Sequence, residues 1–284
     1  MIEITDINIH REEIVELWNI CFGDEADYIS FFIDNCPQKI CLADREDGKI
    51  VSMLFMLDSA VNDFSCKYIY AACTLPEYRG RGIMGNLIKY SIEYCRNNKI
   101  DSVFLVPGES SLYEYYKKFG FIDCFERMEL IIKCKAINNL CENCNIDFCD
   151  NLNSAAEIRN NLLKKIDSFR FTPEITEYII KETQLNSGEC LVSNDGKSVL
   201  FCKFTDEILT LREFLSDNGM NCEILSAVSE KYSAENIYIR CPIVYNNKDN
   251  ECKYAKCGML YPINTKLREH VDIGTVFYAG MYLD

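Results

Sequence analysis

Hydrophobic and polar residues follow a clear order in the first sixty positions of the chain. Apolar residues recur three or four positions apart in 12–22 and again in 26–36, which predicts two amphipathic helices. Two apolar runs then flank Asp47-Gly48, a dipeptide typical of tight hairpin turns. We therefore expect two helices followed by antiparallel strands over 39–44 and 49–57.

A strand, a turn and a helix follow one another immediately afterwards. Residues 68–73 are rich in aromatic and β-compatible side chains and predict a strand that ends near Pro76. Apolar residues return at helical spacing over 83–94, so a helix is expected to begin at or just past Gly82. A helix N-terminus presents free backbone N–H groups and the positive end of the helix dipole. This segment therefore predicts an anion site.

The composition of the turn strengthens that prediction. Glycines at 80, 82 and 85 let a phosphate group approach the backbone closely. Arg79 and Arg81 add charge-assisted donors at the rim. The site is suited to a pyrophosphate.

Gly80-x-Gly82-x-x-Gly85 also matches the dinucleotide-binding fingerprint, with Glu109 beyond the next strand as the ribose-binding acid. In that fingerprint the first glycine closely follows the strand, whereas here residues 76–79 intervene. A phosphate-loop ATPase is excluded because no Gly-Lys-Ser/Thr follows the glycines.

A second motif follows the helix. The short apolar run 101–107 is typical of a buried strand, parallel to the strand at 68–73. Ser111-x-x-Glu114 then predicts a capping box that opens a helix, and Gly120 predicts its C-terminal end. That helix carries the pattern Tyr116-x-x-x-Gly-Phe121.

These two motifs resemble the signatures of one superfamily. Arg79-x-x-Gly82-x-Met84 resembles the acetyl-CoA signature of the GCN5-related N-acetyltransferases (GNAT), Arg/Gln-x-x-Gly-x-Gly/Ala, with Met84 in place of the usual small residue. Tyr116-x-x-x-Gly-Phe121 resembles the second signature, Tyr-x-x-x-Gly-Phe. With the helix and strand between them, they account for most of 40–135. The resemblance implies an α+β fold with a mixed sheet, acetyl-CoA as co-substrate and transfer of an acetyl group to an amine (EC 2.3.1.-).

The resemblance also implies which residues form the site. The strand edge at Ala72, Cys73 and Thr74 would bind the pantetheine arm, and Ser111 and Leu112 would line the other side of the cofactor. Tyr116 would be the acid that protonates the coenzyme A thiolate. The expected pyrophosphate site consists of Arg79, Gly80, Arg81, Gly82, Ile83, Met84 and Gly85.

An alkylammonium acceptor must lose a proton before it attacks, and a carboxylate is the natural proton acceptor. Glu109 is the first candidate on sequence and Asp284 the second. His10 and His270 lie outside both motifs and are interpreted as structural or exposed.

The second half of the chain repeats the first in order. Five short segments recur, among them 41–51 as 190–199 and Thr74–Tyr78 as 210–214. Tyr254-x-x-x-Gly-Met259 returns in the place of the second motif, but the glycines of the first motif are lost and Asp217 would repel a phosphate. We therefore predict tandem GNAT domains: a catalytic domain over 1–136 and a degenerate copy over 137–284 that lacks a cofactor site.

A working copy joined to a degenerate copy resembles the first two domains of the enhanced-intracellular-survival acetyltransferases, some of which acetylate aminoglycosides. The third domain of that class is not expected in 284 residues. The expected acceptor is a small-molecule amine, with polycationic amines as one class. The alternative from another class of protein is a non-catalytic acetyl-CoA sensor or a protein-interaction module.

Composition narrows the remaining choices. A net charge of −14 argues against a nucleic-acid partner, and the absence of a long apolar run or a signal region argues against a membrane partner and for a soluble cytoplasmic protein. Seventeen cysteines, an odd number, favour reduced thiols over a disulfide framework. No metal site is expected. The alternative is a zinc site formed by four cysteines in or next to the predicted connector 136–150, which are Cys134, Cys141, Cys144 and Cys149.

Overall fold

The computed structural model describes residues 1–138, 146–149, 152–245 and 252–283. The strands in chain order are β1 Ile2–Thr5, β2 Lys39–Glu46, β3 Lys49–Val61, β4 Phe64–Thr74, β5 Ser102–Leu105, β6 Ile122–Lys133, β7 Phe148–Cys149, β8 Phe169–Phe171, β9 Glu189–Ser193, β10 Ser198–Thr205, β11 Ile208–Ser216, β12 Asn236–Cys241 and β13 Lys253–Pro262. The helices are α1 Arg11–Phe22, α2 Ala26–Asn35, α3 Ile83–Asn97, α4 Ser110–Lys117, α5 Cys134–Asn138, α6 Leu152–Leu163, α7 Pro173–Leu185, α8 Cys222–Tyr232 and α9 Thr265–Asp272. Pro76–Tyr78 and Ile243–Tyr245 form short 3-10 turns.

The chain folds into two compact units, and each unit is built from two segments. Unit 1 contains Met1–Cys124 and Gly258–Thr275, and unit 2 contains Phe125–Cys257 and Val276–Asp284. The division predicted from sequence, 1–136 and 137–284, treated each domain as one continuous stretch. The units are discontinuous because β6 and β13 each begin in one unit and end in the other.

Unit 1 is a mixed sheet covered by helices. Its strands lie in the order β1-β2-β3-β4-β5, and the C-terminal part of β13 pairs with β5. All neighbouring strands are antiparallel except β4 and β5, which are parallel and joined by α3. Leu87 and Ile88 of α3 pack with Leu54 and Val103 of the sheet in the core. The parallel pair is thus held at the centre of a packed layer.

The local signals in the sequence are confirmed in this unit. Asp47 and Gly48 turn between β2 and β3 with φ angles of 50° and 82°. The predicted helices at 12–22 and 26–36 are α1 and α2, and α3 begins directly after Gly82. One local prediction is wrong: Ser111 does not cap α4. The helix begins at Ser110 with Glu109 as its N-cap, and Glu114 instead pairs with Lys117.

Unit 2 repeats this topology. Its strands lie in the order β7-β9-β10-β11-β12-β6, with β11 and β12 parallel and joined by α8. Phe214 and Leu211 pack with Ile237 of β12 and Val228 of α8 in its core. The predicted fold class, a mixed α/β sheet with a second domain copying the first, is confirmed by this architecture.

The helices were also compared with the requirements of a membrane-spanning segment. Within the part of the chain that the structure describes, no helix combines the length and the apolar character that a membrane span requires.

Candidate active site

The site in unit 1 is built around an irregularity in β4. Met53 pairs with Cys73 and Phe55 pairs with Tyr70, so β4 carries one residue more than β3 between these pairs. Ala71 lies in this bulge with a φ angle of 48°, in the left-handed region. A bulge bends its strand and leaves backbone groups out of the ladder. Ala72, Cys73 and Thr74 follow directly, which gives the predicted strand edge its local shape.

Beyond the bulge, β4 pairs with no strand of the described residues on the side of β5. Its parallel pairing with β5 ends at Ile69–Leu105, whereas β4 continues to Thr74. Leu75 donates its N–H to Val51 on β3, 2.9 Å away, so the backbone groups of Thr74 face away from β3 because successive residues of a strand alternate in direction. The Thr74 N–H and C=O therefore face the side of β4 on which an extended ligand can add to the strand. The carbonyl accepts hydrogen bonds there from Arg79 and Cys21.

The next element brings a helix N-terminus to the same end of the sheet. Gly82 is the N-cap of α3 with a φ angle of 78°, no side chain caps the helix, and its first turn carries no acidic residue. The first N–H groups of an α-helix have no partner within the helix. The start of α3 therefore has backbone donors without a side-chain cap and the positive end of a helix dipole, features that suit an anion.

The three glycines of this turn differ in their surroundings. Gly80 and Gly82 have positive φ angles of 76° and 78°, and a Cβ atom on either would meet nothing within 4 Å. Their backbone therefore faces open space. At Gly85 a Cβ atom would lie 3.0 Å from the Phe119 ring. The lack of a side chain at this buried glycine therefore leaves room for Phe119 to pack. Ile83 is buried and Met84 half-buried at the start of α3.

The two arginines of the turn are anchored differently. Arg79 donates from Nε to the Thr74 carbonyl, 3.0 Å away, and so joins the turn to the open strand edge. Arg81 is exposed, donates to the Glu77 carbonyl and lies over the Tyr78 ring at 4.8 Å. Both guanidinium groups leave a positive field around the uncapped helix start.

Helix α4 places Tyr116 close to this region. The side chain is 8% exposed, and it packs with α3 and the central strands in one hydrophobic cluster that also includes Leu112 and Ala72. Burial, with the neighbouring Tyr115, raises the pKa of Tyr116 to about 12. The phenol is therefore neutral at physiological pH and retains a proton to donate.

The other residues predicted near α4 are more exposed. Glu109 is the exposed N-cap of α4 and accepts a hydrogen bond from the Ser111 hydroxyl at 3.2 Å. Ser111 is also exposed, and Leu112 is half-buried. Asp284, the second candidate base, lies outside the described residues. Of the two histidines, His10 directly precedes α1 and pairs with Glu13 of that helix. His270 lies in the last turn of α9, and its ring contacts Phe64.

The cysteine cluster gives no sign of a metal centre among the residues that the structure describes, where no group of three or more potential ligands occurs. Cys134 is buried and Cys149 half-buried. Cys141 and Cys144 fall outside the described residues.

Unit 2 contains an equivalent of the open edge. Ser216 occupies the position of Thr74: its hydroxyl bonds to Ser198 on the neighbouring strand at 3.0 Å, as Thr74 does to Ser52 at 2.7 Å. The residue after it, Asp217, donates to Lys197 at 3.0 Å, as Leu75 does to Val51. The sequence alignment that matched Thr74 with Thr210 is therefore wrong, because the structural equivalent lies six residues later.

In unit 2 this edge is filled by a side chain. Tyr245 donates from its hydroxyl to the Ser216 carbonyl at 2.7 Å and accepts from the Ser216 N–H at 3.1 Å. The helix that follows is also capped: the side chain of Asn221 accepts from Glu223 N–H at 2.9 Å, and Glu223 adds a negative charge to the first turn. The Ser216 backbone groups and one N–H at the start of α8 are thus satisfied within the protein.

The core of unit 2 beside β11 is closed by a buried ion pair. Arg159 and Glu213 are both fully buried, with Nε and Oε2 2.5 Å apart and a second hydrogen bond of 3.0 Å. The bulge of β11 lies at Arg212, next to Glu213. Tyr254, which the repeat matched with Tyr116, lies on β13 and is 50% exposed. The match with Tyr116 is wrong because Tyr254 belongs to a strand and not to a helix.

One residue at the site carries no motif and is missed by sequence reasoning. Cys21, at the end of α1, donates to the Thr74 carbonyl at 3.4 Å and is half-buried. A hydrogen bond from Cys73, together with the charge of Arg79, lowers the pKa of Cys21 to about 7. The pKa of Cys73 is raised, chiefly by burial. No local pattern signals Cys21, because its partners lie more than fifty positions away.

Comparison with known proteins gives a match to one family model. Residues 8–122 match the model of the acetyltransferase (GNAT) domain. A search among curated proteins finds no match.

Solved structures with the same fold cover nearly the whole chain. One is a protein from Enterococcus faecalis V583 described as a probable N-acyltransferase, with a TM-score of 0.72, 13% identity and coverage of 93% of this chain and 72% of that one. Another is Eis1 from Mycobacterium abscessus, with a TM-score of 0.71, 11% identity and coverage of 94% and 75%. A third is a tandem GNAT protein from the clavulanic acid biosynthesis pathway, with a TM-score of 0.54, 7% identity and coverage of 93% and 99%.

The sequence match, the open strand edge and the glycine turn agree with one another. Residues 8–122 match the GNAT acetyltransferase domain, and the chain has the fold of the GNAT acyltransferases.

Proposed function

We propose that this protein is an acetyl-CoA-dependent N-acetyltransferase that acetylates the primary amine of a small molecule. The family supports acyl transfer in general, and the residues of unit 1 support the finer assignment. The cofactor site consists of the β4 edge and the turn before α3, and Tyr116 is the acid. Unit 2 contributes no second cofactor site.

The observation that carries this proposal is the contrast between the two units. At equivalent positions, the Thr74 carbonyl of unit 1 accepts from Arg79, a residue of the anion-binding turn, and from the Cys21 thiol, whereas Tyr245 holds both the N–H and the carbonyl of Ser216 in unit 2. The α3 start has no side-chain cap, whereas the α8 start is capped by Asn221. A satisfied site needs no ligand, and an unsatisfied one offers binding energy to an anionic, extended molecule.

The residues fit acetyl-CoA part by part. The N–H groups at the start of α3 would hold the diphosphate, and the space beside Gly80 and Gly82 admits it. Thr74 would pair with the amide groups of the pantetheine arm, as one strand pairs with another. Acetyl-CoA supplies an activated acetyl group as a thioester.

Two proton movements remain for the protein. Tyr116 holds a proton at its phenol oxygen and would give it to the departing thiolate. Glu109 is our candidate to accept the ammonium proton, through water, since its carboxylate is exposed beside the start of α4. Amides exposed by the β4 bulge would stabilise the developing oxyanion.

The acceptor follows from charge and compartment. A net charge of −14 favours an amine that is cationic, including polycationic amines, and disfavours nucleic acid. All described cysteines are free thiols, which supports a reducing, cytoplasmic location. We propose no membrane partner.

The test is turnover on a panel of mono- and polyamines, with released coenzyme A measured by chromatography because protein thiols would react with thiol dyes. Tyr116→Phe removes the proposed acid, so kcat should fall by roughly 100-fold while acetyl-CoA affinity by calorimetry stays within about twofold. Tyr115→Phe, on the same helix, is the matched control and should retain activity.

Two results would count against the proposal. If acetyl-CoA binds tightly but no amine is acetylated, the protein is a sensor rather than an enzyme. If Tyr116→Phe and Tyr115→Phe have the same kcat as the original protein, the acid is another group.

A further inference from the structure

The two thiols at the proposed cofactor edge form a pair that the acetyl-transfer chemistry does not use. Cys21 ends α1, and Cys73 lies on β4 directly before Thr74. Cys21 donates to the Thr74 carbonyl at 3.4 Å, which brings it to the residue next to Cys73, and the Cys73 thiol hydrogen-bonds to Cys21. Cys73 is 6% exposed, whereas Cys21 is half-buried and reaches solvent. One thiol is thus accessible and the other is held behind it.

The electrostatics of the pair are unequal. The Arg79 guanidinium lies beside Cys21 and donates to the same Thr74 carbonyl at 3.0 Å. A hydrogen bond from Cys73 and this positive charge stabilise the Cys21 thiolate, which is the nucleophilic form of cysteine. An accessible thiolate next to a second thiol has the arrangement of a redox-sensitive site. By contrast, burial raises the pKa of Cys41, Cys66 and Cys95 to about 12.

We propose that Cys21 and Cys73 are a thiol–disulfide site, oxidised by hydroperoxides, whose disulfide closes the strand edge to acetyl-CoA. The closure rests on the proposed function, whereas formation of the disulfide does not.

The chemistry balances in two steps. The Cys21 thiolate attacks one oxygen of hydrogen peroxide, an S–O bond forms, the O–O bond breaks, and the hydroxide that leaves takes a proton to become water. Cys73 then attacks the Cys21 sulfur, an S–S bond replaces the S–O bond, and the hydroxide leaves as water with the Cys73 proton. Two thiols lose two electrons and one peroxide is reduced to two waters.

The disulfide would alter the cofactor edge for a geometric reason. Bonded sulfurs are about 2.0 Å apart, whereas the sulfurs of two hydrogen-bonded thiols lie farther apart. Closing that gap draws the end of α1 towards β4 at the residue before Thr74. It also removes the thiolate partner of Arg79. Both changes act on the backbone groups proposed to bind the pantetheine arm.

The experiment treats the full chain with hydrogen peroxide, blocks the remaining thiols and maps disulfide-linked peptides by mass spectrometry. Acetyl-CoA affinity is measured by calorimetry before oxidation, after oxidation and after dithiothreitol. We expect a Cys21–Cys73 peptide and a loss of affinity of about tenfold or more that dithiothreitol reverses. Cys21→Ser should show neither effect of peroxide, whereas Cys222→Ser, which removes an exposed thiol of unit 2, should behave as the original protein.

Each remaining outcome is informative. If peroxide oxidises other cysteines and no Cys21–Cys73 peptide forms, the proposal is overturned. If the disulfide forms and affinity is unchanged, the closure is overturned. If the reduced protein binds no acetyl-CoA, the proposed function fails together with the closure, and the peptide map alone decides whether the pair is redox-active. Dimedone labelling of Cys21 in Cys73→Ala gives a second readout of the sulfenic acid.

Discussion

The chemistry of single residues at this site is set by neighbours that are distant in sequence. Cys21 has a pKa of about 7 because Cys73 and Arg79 surround it. Tyr116 has a pKa of about 12 because it is buried beside Tyr115. The same region therefore contains a thiol that ionises easily and a phenol that does not.

The first prediction concerns the ionisation of Cys21. Because only the thiolate reacts, its alkylation by iodoacetamide should rise with pH and reach half of its maximum near pH 7. The groups that face it are the Cys73 thiol, the Arg79 guanidinium and the Thr74 carbonyl. Arg79→Gln removes the cation that favours the thiolate, so the midpoint should move to higher pH. Mass spectrometry of the Cys21 peptide measures both profiles, and an unchanged midpoint in the variant would exclude the role of Arg79.

The second prediction concerns Gly82. A side chain at its φ of 78° costs about 1 kcal/mol, and the added methyl would project among the proposed anion donors. Gly82→Ala should therefore lose about tenfold or more in acetyl-CoA affinity. Gly48→Ala is the matched control, because Gly48 has a φ of 82° with equally open space but lies in a hairpin turn. Calorimetry should show a binding defect in Gly82→Ala alone, and equal affinities would argue against a cofactor at this turn.

Single residues also show how far sequence reasoning reaches. Gly82 and Tyr116 were predicted because their motifs are local and their spacing is fixed by a turn and a helix. Cys21 could not be predicted because its contacts with Thr74 and Arg79 depend on how α1 packs against β4. Tyr245 was missed for a similar reason, since it meets Ser216 from 29 positions away.

At the scale of elements, the equivalent strand and helix of the two units differ in how their backbone groups are hydrogen-bonded. In unit 1 no side chain caps the start of α3, and the Thr74 carbonyl at the edge of β4 accepts from Arg79 and Cys21. In unit 2 the edge of β11 is paired with Tyr245, and Asn221 caps α8. A few polar side chains thus separate a binding element from a structural one.

The third prediction tests whether Tyr245 stabilises unit 2. Tyr245→Phe leaves the Ser216 N–H and C=O without their partner, which should lower the free energy of unfolding by about 1–3 kcal/mol. Tyr90→Phe, an exposed tyrosine of α3, should change it by less than about 0.5 kcal/mol. Urea unfolding measures both. Equal stabilities would mean that the phenol hydroxyl contributes nothing to this edge.

Elements were predicted best where the signal is local. The Asp47-Gly48 hairpin and the starts of α1, α2 and α3 follow from turn chemistry and helical spacing. The prediction that Ser111 caps α4 failed because the helix begins one residue earlier, at Ser110, with Glu109 as its N-cap. The sequence alignment of the repeat matched Thr74 with Thr210 by residue identity. The strand pairing shows instead that Ser216 is the equivalent of Thr74.

At the scale of the molecule, the duplication was visible in the sequence but the composition of the units was not. The C-terminal part of β13 pairs with β5 in unit 1, and β6 pairs with β12 in unit 2. These pairings join segments more than a hundred positions apart, and no local pattern encodes them. Each unit therefore depends on a strand from the other half of the chain.

We propose a single cofactor site in a chain with two copies of the fold. The fourth prediction is the activity of the Tyr116→Phe variant described above, which tests turnover. The last tests the central claim, that the open β4 edge and the uncapped start of α3 make unit 1 the sole acetyl-CoA site.

The most direct measurement is a calorimetric titration of the reduced protein with acetyl-CoA. We predict one molecule bound per chain, with the heat strongly reduced in Gly82→Ala and unchanged in Gly48→Ala. Two molecules per chain, or one molecule whose binding is indifferent to Gly82, would contradict the account.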